Sequence, residues 1–87
     1  MYHTYILINK RGSRTYTGHT ANLEQRLKEH NEGNVILSRL YRPYLILLSE
    51  TFSSLKEAKQ REAFYKSSTG RYQLKRIVAF WKTQKGE

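Results

Sequence analysis

The chain contains no cysteine, no aspartate and only one proline among its 87 residues. The lack of cysteine excludes disulfides, thiolate nucleophiles and zinc sites built on sulfur. A bound metal would need carboxylate, imidazole or water ligands, and these suit Mg²⁺ or Mn²⁺. No apolar run approaches the roughly 18 residues that a membrane span needs. The apolar stretch 5–8 is also too short for a signal peptide, so we expect a cytoplasmic protein without a membrane segment.

Negative charge is scarce. Sixteen lysines and arginines stand against seven acidic residues, all of them glutamate, which gives a net charge of +9. A basic chain of this length predicts one domain, spanning 1–87, and a polyanionic partner, most commonly nucleic acid. Because attraction to phosphate is independent of sequence, charge leaves a structural binder, a repressor and a nuclease equally open.

The first twenty residues predict a β-hairpin. Residues 2–9 are rich in β-branched and aromatic types, and Gly12 lies in a turn that leads to a short return strand over 14–18. Tyr5 and Tyr16 would then lie near each other on paired strands, either as ordinary strand residues or as parts of a site.

The rest of the chain predicts, in order, a helix to about His30, a short helical or irregular link over 35–42, a strand over "YLILLSE", a helix to about Lys66 and a last helix over 72–82. Thr20 or Asn22 could cap the first helix, and Ser53 or Ser54 the second. The continuous apolar run of the third strand is typical of a central strand covered on both faces. The predicted class is α+β, with a small three-stranded, mostly antiparallel sheet flanked by helices in the order β-β-α-β-α-α.

Three polar residues lie beside apolar helix stripes. Glu62 falls on the inward stripe of the second helix, where an i, i+4 salt bridge with Lys66 would explain it as well as a functional role. Arg26 and His30, four residues apart, project together from the first helix. Such a pair is also typical of a helix edge that faces solvent. Taken with the two tyrosines, they supply a cation ligand, a guanidinium for phosphate and a group to activate water, the components of a metal-assisted phosphodiesterase.

Four sequence blocks resemble the GIY-YIG nuclease family. They are Thr4-Tyr5-Ile6, Tyr16-Thr17-Gly18, "GHTANLEQRLKEHNEG" and "EAKQREAFYK". They occur in the family's order and at workable spacings, and the resemblance covers roughly residues 2–78. The chain is most similar to the free-standing, single-domain bacterial members related to the incision module of nucleotide-excision repair.

The resemblance implies a catalytic role for each matching residue. Tyr5 and Tyr16 would orient or deprotonate the attacking water. Arg26 would hold the scissile phosphate, and His30 would contact that phosphate or assist Tyr5. Glu62 would be the single protein ligand of one divalent ion, Mg²⁺ or Mn²⁺.

Other positions have weaker roles or depart from the family pattern. Lys66 would contact phosphate, and Gly18 would permit a close backbone approach, although an ordinary turn glycine explains it equally well. Thr17 replaces the usual apolar residue of the second tripeptide. Many catalytic members also carry an asparagine after the metal-binding helix. In this chain either Gln73 or Ser68 substitutes for it, or the subgroup does without it.

The leading functional prediction is a divalent-metal-dependent DNA endonuclease, selective for DNA structure and linked to repair or recombination, with DNA and a repair protein as partners. The alternative is a catalytically weak or silent nucleic-acid-binding module of the same fold. A third class, a protein-interaction domain, agrees less well with the basic charge. Candidates for contacts with nucleic acid outside the site are Arg39, Tyr41, Arg42, Arg71, Tyr72, Lys75 and Arg76.

Overall fold

A computed structural model describes residues 1–84 as a three-stranded antiparallel sheet with helices on both faces. The elements are β1 (Tyr2–Asn9), β2 (Thr15–Thr20), α1 (Leu23–Asn31), β3 (Tyr44–Phe52), α2 (Leu55–Lys66) and α3 (Ser68–Gln84), with a short 3₁₀ turn at Arg39–Tyr41. The predicted α+β class and the order β-β-α-β-α-α are confirmed. No helix within the described residues is long and apolar enough to cross a membrane.

The first strand, not the third, is central. The strand order is β2-β1-β3, and both pairings are antiparallel. Residues 4–9 of β1 are buried without interruption, because strands flank them and helices cover both faces. The prediction that "YLILLSE" would be central was wrong: β3 lies at the edge of the sheet, with Leu45 40% and Ile46 39% exposed. An apolar run alone does not distinguish a central strand from a half-covered edge strand.

The two faces of the sheet carry different helices. Tyr5 and Leu7 point towards α1 and form one core cluster with Tyr44. Ile6 points the other way and packs with Tyr65 of α2 and Leu74 of α3. This alternation follows from the two-residue period of a strand. Consequently, side chains from α1 and α2 can meet only around an edge of the sheet.

Helix starts follow the capping chemistry in the sequence. Asn22 caps α1 by accepting a hydrogen bond from the backbone N–H of Gln25 at 3.1 Å, and Ser54 caps α2 by accepting one from Glu57 at 3.2 Å. The second strand is longer than predicted and reaches Thr20. The predicted break over 67–70 is reduced to Ser67 alone, so α3 begins at Ser68 rather than near residue 72.

Candidate active site

A chain of hydrogen bonds runs through the face covered by α1. The Nε–H of Arg26 donates to the Tyr5 hydroxyl oxygen at 3.2 Å, and that hydroxyl lies 3.1 Å from Nε2 of His30. The other ring nitrogen of His30, Nδ1, is 2.6 Å from the Ser38 hydroxyl, which donates to the Val35 carbonyl at 3.4 Å. Arginine can only donate and a carbonyl can only accept, so all donors in the chain point from Arg26 towards Val35.

One arrangement of protons satisfies every contact in this chain. Tyr5 donates its proton to Nε2 of a neutral His30, whose Nδ1–H donates to Ser38. The pKa values agree: burial, together with the positive charge of Arg26, lowers the pKa of His30 to about 4. Burial raises the pKa of Tyr5, although Arg26 partly opposes the shift. Tyr5 therefore holds its proton firmly at neutral pH.

Arg26 is held from two sides and remains partly open. Its Nε–H donates to Tyr5, and one terminal N–H donates to the Glu29 carboxylate at 3.0 Å. Its side chain is 34% exposed. Guanidinium carries five N–H donors, so the donors that remain can reach an anion at the surface. The hydrogen bond to Tyr5 is the main cause of the raised pKa of Arg26.

Tyr16 differs from Tyr5 in what its hydroxyl contacts. Its ring packs against His30, with centroids 4.5 Å apart, and lies 6.4 Å from the ring of Tyr5. Within residues 1–84 its hydroxyl makes no hydrogen bond to another protein group. Of the two predicted tyrosines, Tyr16 is therefore the one whose hydroxyl is available to water or substrate.

A second group of side chains lies on the opposite face of the sheet, against α2. One oxygen of the Glu62 carboxylate is 2.5 Å from Nδ1 of His19, and the other accepts from the ammonium of Lys66 at 2.6 Å. Burial raises the pKa of Glu62, but the hydrogen bonds from Lys66 and His19 outweigh it, and the net pKa is lowered. The predicted Glu62–Lys66 salt bridge is confirmed, yet it accounts for only one of the two oxygens.

The two groups approach each other around the open edge of β2, and Gly18 lies between them. Gly18 pairs with Tyr5 across the hairpin. A β-carbon at Gly18 would lie 2.6 Å from the Tyr5 hydroxyl oxygen, so the ring can lie over this position only because a glycine is there. The negative charge of Glu62 also contributes to the raised pKa of Tyr5. Tyr5, Tyr16, Arg26 and His30 thus form one contacting group, and Glu62, on the other face of the sheet, is close enough for its charge to act on Tyr5.

Glu62 has the character expected of a ligand for a hard cation. It is ionised, its side chain is 18% exposed, and two basic groups contact its oxygens. No cluster of three histidine or acidic side chains that could hold a metal occurs in the part of the chain described. At most Glu62 and His19 would therefore contribute protein ligands, with water and phosphate oxygens completing the shell, as Mg²⁺ accepts. These ligands fit an ion whose coordination shell is completed by the phosphate of a bound substrate.

Two residues at this site were not predicted from the sequence. His19 was missed because its side chain points to the face opposite Gly18 and the tyrosines. Its cross-strand partner is Thr4, whose hydroxyl bonds to α2, and this pairing could have placed His19 beside Glu62. Ser38 was missed because it lies in the irregular link, where no periodicity indicates which side chains point inward.

The predicted nucleic-acid contacts lie in different places. Arg71 and Lys75 line a cleft that also includes Lys66 and Tyr16. Arg42 donates to the Arg39 carbonyl at 3.0 Å, so its guanidinium is engaged within the link. The other four predicted contacts are exposed and do not line this cleft: Arg39, Tyr41, Tyr72 and Arg76.

The substitutes considered for the family's asparagine do not reach the site. Gln73 lies beside Arg76 and Phe80 on another face of α3. Ser68 is an exposed residue at the start of α3. Neither has a contact with Glu62, Arg26 or the tyrosines.

Comparison with known proteins supports this assignment of the fold. The family model described as the GIY-YIG catalytic domain matches residues 1–76. The UPF0213 protein SH2523 of Staphylococcus haemolyticus is 33% identical over 76 residues, which cover 86% of this chain and 93% of that protein. The UPF0213 protein CPE1444 of Clostridium perfringens is 38% identical over 78 residues, or 88% and 83% of the two chains.

A solved structure is similar as well. The solution NMR structure of the UPF0213 protein BH0048 from Bacillus halodurans superposes with a TM-score of 0.50 at 32% identity, and the match covers 88% of this chain and 85% of that one. The tripeptides on β1 and β2, the basic residues of α1 and the glutamate of α2 all fall within the matched residues 1–76. The chain therefore belongs to the GIY-YIG family.

Proposed function

We propose that this protein is a divalent-metal-dependent endonuclease that hydrolyses phosphodiester bonds in DNA. The observation that supports this most directly is the placement of Arg26 and Glu62 on opposite faces of the sheet, where Arg26 bonds to Tyr5, Glu62 bonds to His19 of the edge strand β2, and the charge of Glu62 acts on Tyr5. A phosphate at that edge would meet a guanidinium on one side and a carboxylate-held cation on the other, and phosphodiester hydrolysis requires both kinds of charge stabilisation.

Arg26 would bind the scissile phosphate and stabilise the negative charge that develops on it. Its bonds to Tyr5 and Glu29 leave terminal N–H donors directed outward. Tyr5 and His30 hold this guanidinium in place from beneath. Because the pKa of Tyr5 is raised and that of His30 is lowered to about 4, we assign this pair to positioning rather than to proton abstraction in the metal-free site.

Tyr16 would contact the attacking water. Its hydroxyl is not used in any protein hydrogen bond of residues 1–84, and its ring is fixed against His30. A phenol is a weak base at neutral pH. We therefore propose that Tyr16 orients the water through its oxygen.

Glu62 would hold the divalent ion, Mg²⁺ or Mn²⁺, with His19 as a neighbouring donor. The ion supplies charge neutralisation and a more acidic bound water when present. Lys66 now contacts the Glu62 oxygen at 2.6 Å. With its flexible stem and its exposed position, Lys66 is suited to move from the carboxylate to a phosphate oxygen.

We further propose that the enzyme selects DNA by structure and acts in repair or recombination, with a repair protein supplying further specificity. The support is the excess of basic side chains, which attract any DNA backbone without reading its sequence. The rival function, a silent nucleic-acid-binding module, is favoured by one observation: Gln73 is on a face of α3 remote from Glu62, so no amide replaces the family's asparagine.

A cleavage assay tests the proposal. Labelled duplex, flap and four-way-junction DNA would be incubated with Mg²⁺, Mn²⁺ or EDTA. We expect metal-dependent cutting that falls at least about 100-fold in Glu62→Gln and in Arg26→Ala. Glu57→Gln, which changes another glutamate of α2, is the matched control and should cut normally.

Binding must be measured on the same variants. Wild-type protein that binds these DNAs but cuts none of them with either metal would establish the silent module instead. Loss of cutting in Glu57→Gln to the same extent as in Glu62→Gln would indicate a general structural effect.

A further inference from the structure

A cleft of about 720 Å³ runs beside the open edge of β2, between this strand, α3 and the irregular link. We propose that this cleft binds an unpaired strand of DNA, with phosphates on its basic rim and a base against its apolar floor. The inference rests on the proposed nuclease function, because it names the form of DNA that the same site would receive.

One face of α3 forms the long wall of the cleft. Along it, basic side chains alternate with apolar ones at helical spacing: Arg71, Leu74, Lys75, Val78 and Lys82. This pattern differs from an ordinary amphipathic helix, in which charge and apolar surface occupy opposite faces. Here both line the same cavity.

No acidic side chain within residues 1–84 pairs with the basic groups on this wall. Arg71, Lys75 and Lys82 form no ion pair or side-chain hydrogen bond with any partner in residues 1–84. Positive charges that converge without acidic neighbours favour an anionic ligand. Their repetition along a helix suits a ligand with repeated charges, such as a phosphate backbone.

The apolar lining decides between paired and unpaired DNA. A duplex presents its phosphates outward and hides the faces of its bases, so it would leave Leu37 and Val78 without a partner. An unpaired strand brings a base face to such a surface, where stacking and apolar contact stabilise the complex. The mixture of charge and apolar surface therefore fits a single strand.

The cleft is continuous with the candidate active site. Tyr16 and Lys66 line it, and both also belong to the site: Tyr16 packs on His30, and Lys66 bonds to Glu62. A strand lying along α3 would pass from the cleft directly to Tyr16 and to the Glu62–Lys66 pair. The phosphate presented for cleavage would thus lie next to the unpaired segment.

Fluorescence anisotropy in EDTA measures binding without any cleavage. The probes are a labelled single strand of about 16 nucleotides and a blunt duplex of the same sequence. We expect tighter binding of the single strand. Lys75→Glu should weaken it at least about 10-fold, whereas Arg76→Glu should weaken it less than about 3-fold. Arg76 is the matched control, since it is the next residue of α3 but lies outside the cleft.

A second pair of variants tests the apolar contact. Leu37 and Leu40 are both 83% exposed in the same link, but only Leu37 lines the cleft. We expect Leu37→Ser to weaken single-strand binding about 3- to 10-fold and Leu40→Ser to leave it unchanged. Because both side chains are exposed, neither substitution should alter folding.

The salt dependence completes the experiment. With about four phosphates neutralised, the slope of log K against log salt should be near −3 for a single strand, and Lys75→Glu should reduce its magnitude by about 0.7. Equal or tighter binding of the duplex, or equal losses within either pair of variants, would overturn the proposal. The protein could also bind the single strand in the expected pattern and yet cut no DNA. That result would support the cleft as a single-strand site and refute the proposed nuclease function.

Discussion

At the scale of single residues, the hydrogen bonds of the hydroxyl distinguish Tyr5 from Tyr16, which the sequence pattern alone does not. Tyr5 is 1% exposed, and its hydroxyl both accepts from Arg26 and donates to His30. Tyr16 lies beside it with a hydroxyl that no other described group contacts. Their proposed roles therefore differ, since Tyr5 positions the guanidinium while Tyr16 meets the water.

Gly18 tests whether the position of Tyr5 matters. A β-carbon there would lie 2.6 Å from the Tyr5 hydroxyl oxygen and 2.8 Å from the ring carbon Cζ, and the buried ring has little space to yield. We expect Gly18→Ala to destabilise the protein by about 1–3 kcal/mol through overpacking. Urea unfolding would measure this. The nuclease activity should fall as well, because the bonds of Tyr5 to Arg26 and His30 are displaced.

The Tyr5→Phe background provides the control for this prediction. Without the hydroxyl, there is no bond to Arg26 or His30 left for Gly18→Ala to break. The two substitutions should therefore reduce cleavage by much less than the product of their separate effects. Fully multiplicative effects would show that Gly18 acts by some route other than Tyr5.

At the scale of elements, the junction of α2 and α3 depends on a close backbone approach. Gly70 is buried in the first turn of α3, and a β-carbon there would overlap the carbonyl group of Phe64. Helix propensity alone predicts that Gly70→Ala stabilises the protein by up to about 1 kcal/mol. We expect the opposite sign, a loss of about 2 kcal/mol or more, because backbone atoms rather than a flexible side chain must move.

Thermal and urea unfolding would determine that sign. Thr69→Ala, at the exposed neighbouring position, is the control and should change the stability by less than about 0.5 kcal/mol. A Gly70→Ala protein as stable as wild type would mean that the two helices can separate without cost.

Element types were easier to predict than element environments. Capping residues and periodicity gave every helix and strand in the right order, since these signals are local: Asn22 and Ser54 do cap α1 and α2. The central strand was misassigned because burial depends on which strands are neighbours. That is a property of the whole sheet, and "YLILLSE" does not encode it. The early start of α3 has a local cause, since the Ser67 hydroxyl accepts a hydrogen bond from the backbone N–H of Gly70 at 3.3 Å.

At the scale of the whole molecule, the site could be predicted only in part. Arg26, His30 and Glu62 were identifiable because each interrupts an apolar stripe on its own helix. What relates them is the sheet, since α1 packs on one face through Tyr5 and α2 on the other through Thr4 and His19. The contact of His19 with Glu62 joins residues 43 positions apart. It depends on this three-dimensional arrangement and is not visible in any local pattern.

The pH dependence of folding should reflect the buried imidazole. His30 has a pKa of about 4 when folded, against an ordinary value of 6.5. Between these values the unfolded chain binds the extra proton, so stability rises with pH and is lost as the pH falls. Glu62 has a lowered pKa, and its contribution is lost only below its ordinary value of 4.5. The Glu62 contribution therefore stays constant between pH 7 and pH 5, and substitution of His30 identifies its share of any change in this interval.

We expect unfolding free energy to decrease by about 2 kcal/mol between pH 7 and pH 5. Urea unfolding at several pH values would measure this decrease, and an NMR titration of the His30 ring would report its midpoint directly. His30→Gln should lose most of the dependence in this interval, whereas His3→Gln, altering a half-buried strand histidine bonded to Thr51, should retain it. A His30 ring that titrates near 6.5 in the folded protein would contradict the prediction. It would also remove the reason for assigning His30 to a neutral, positioning role beneath Arg26.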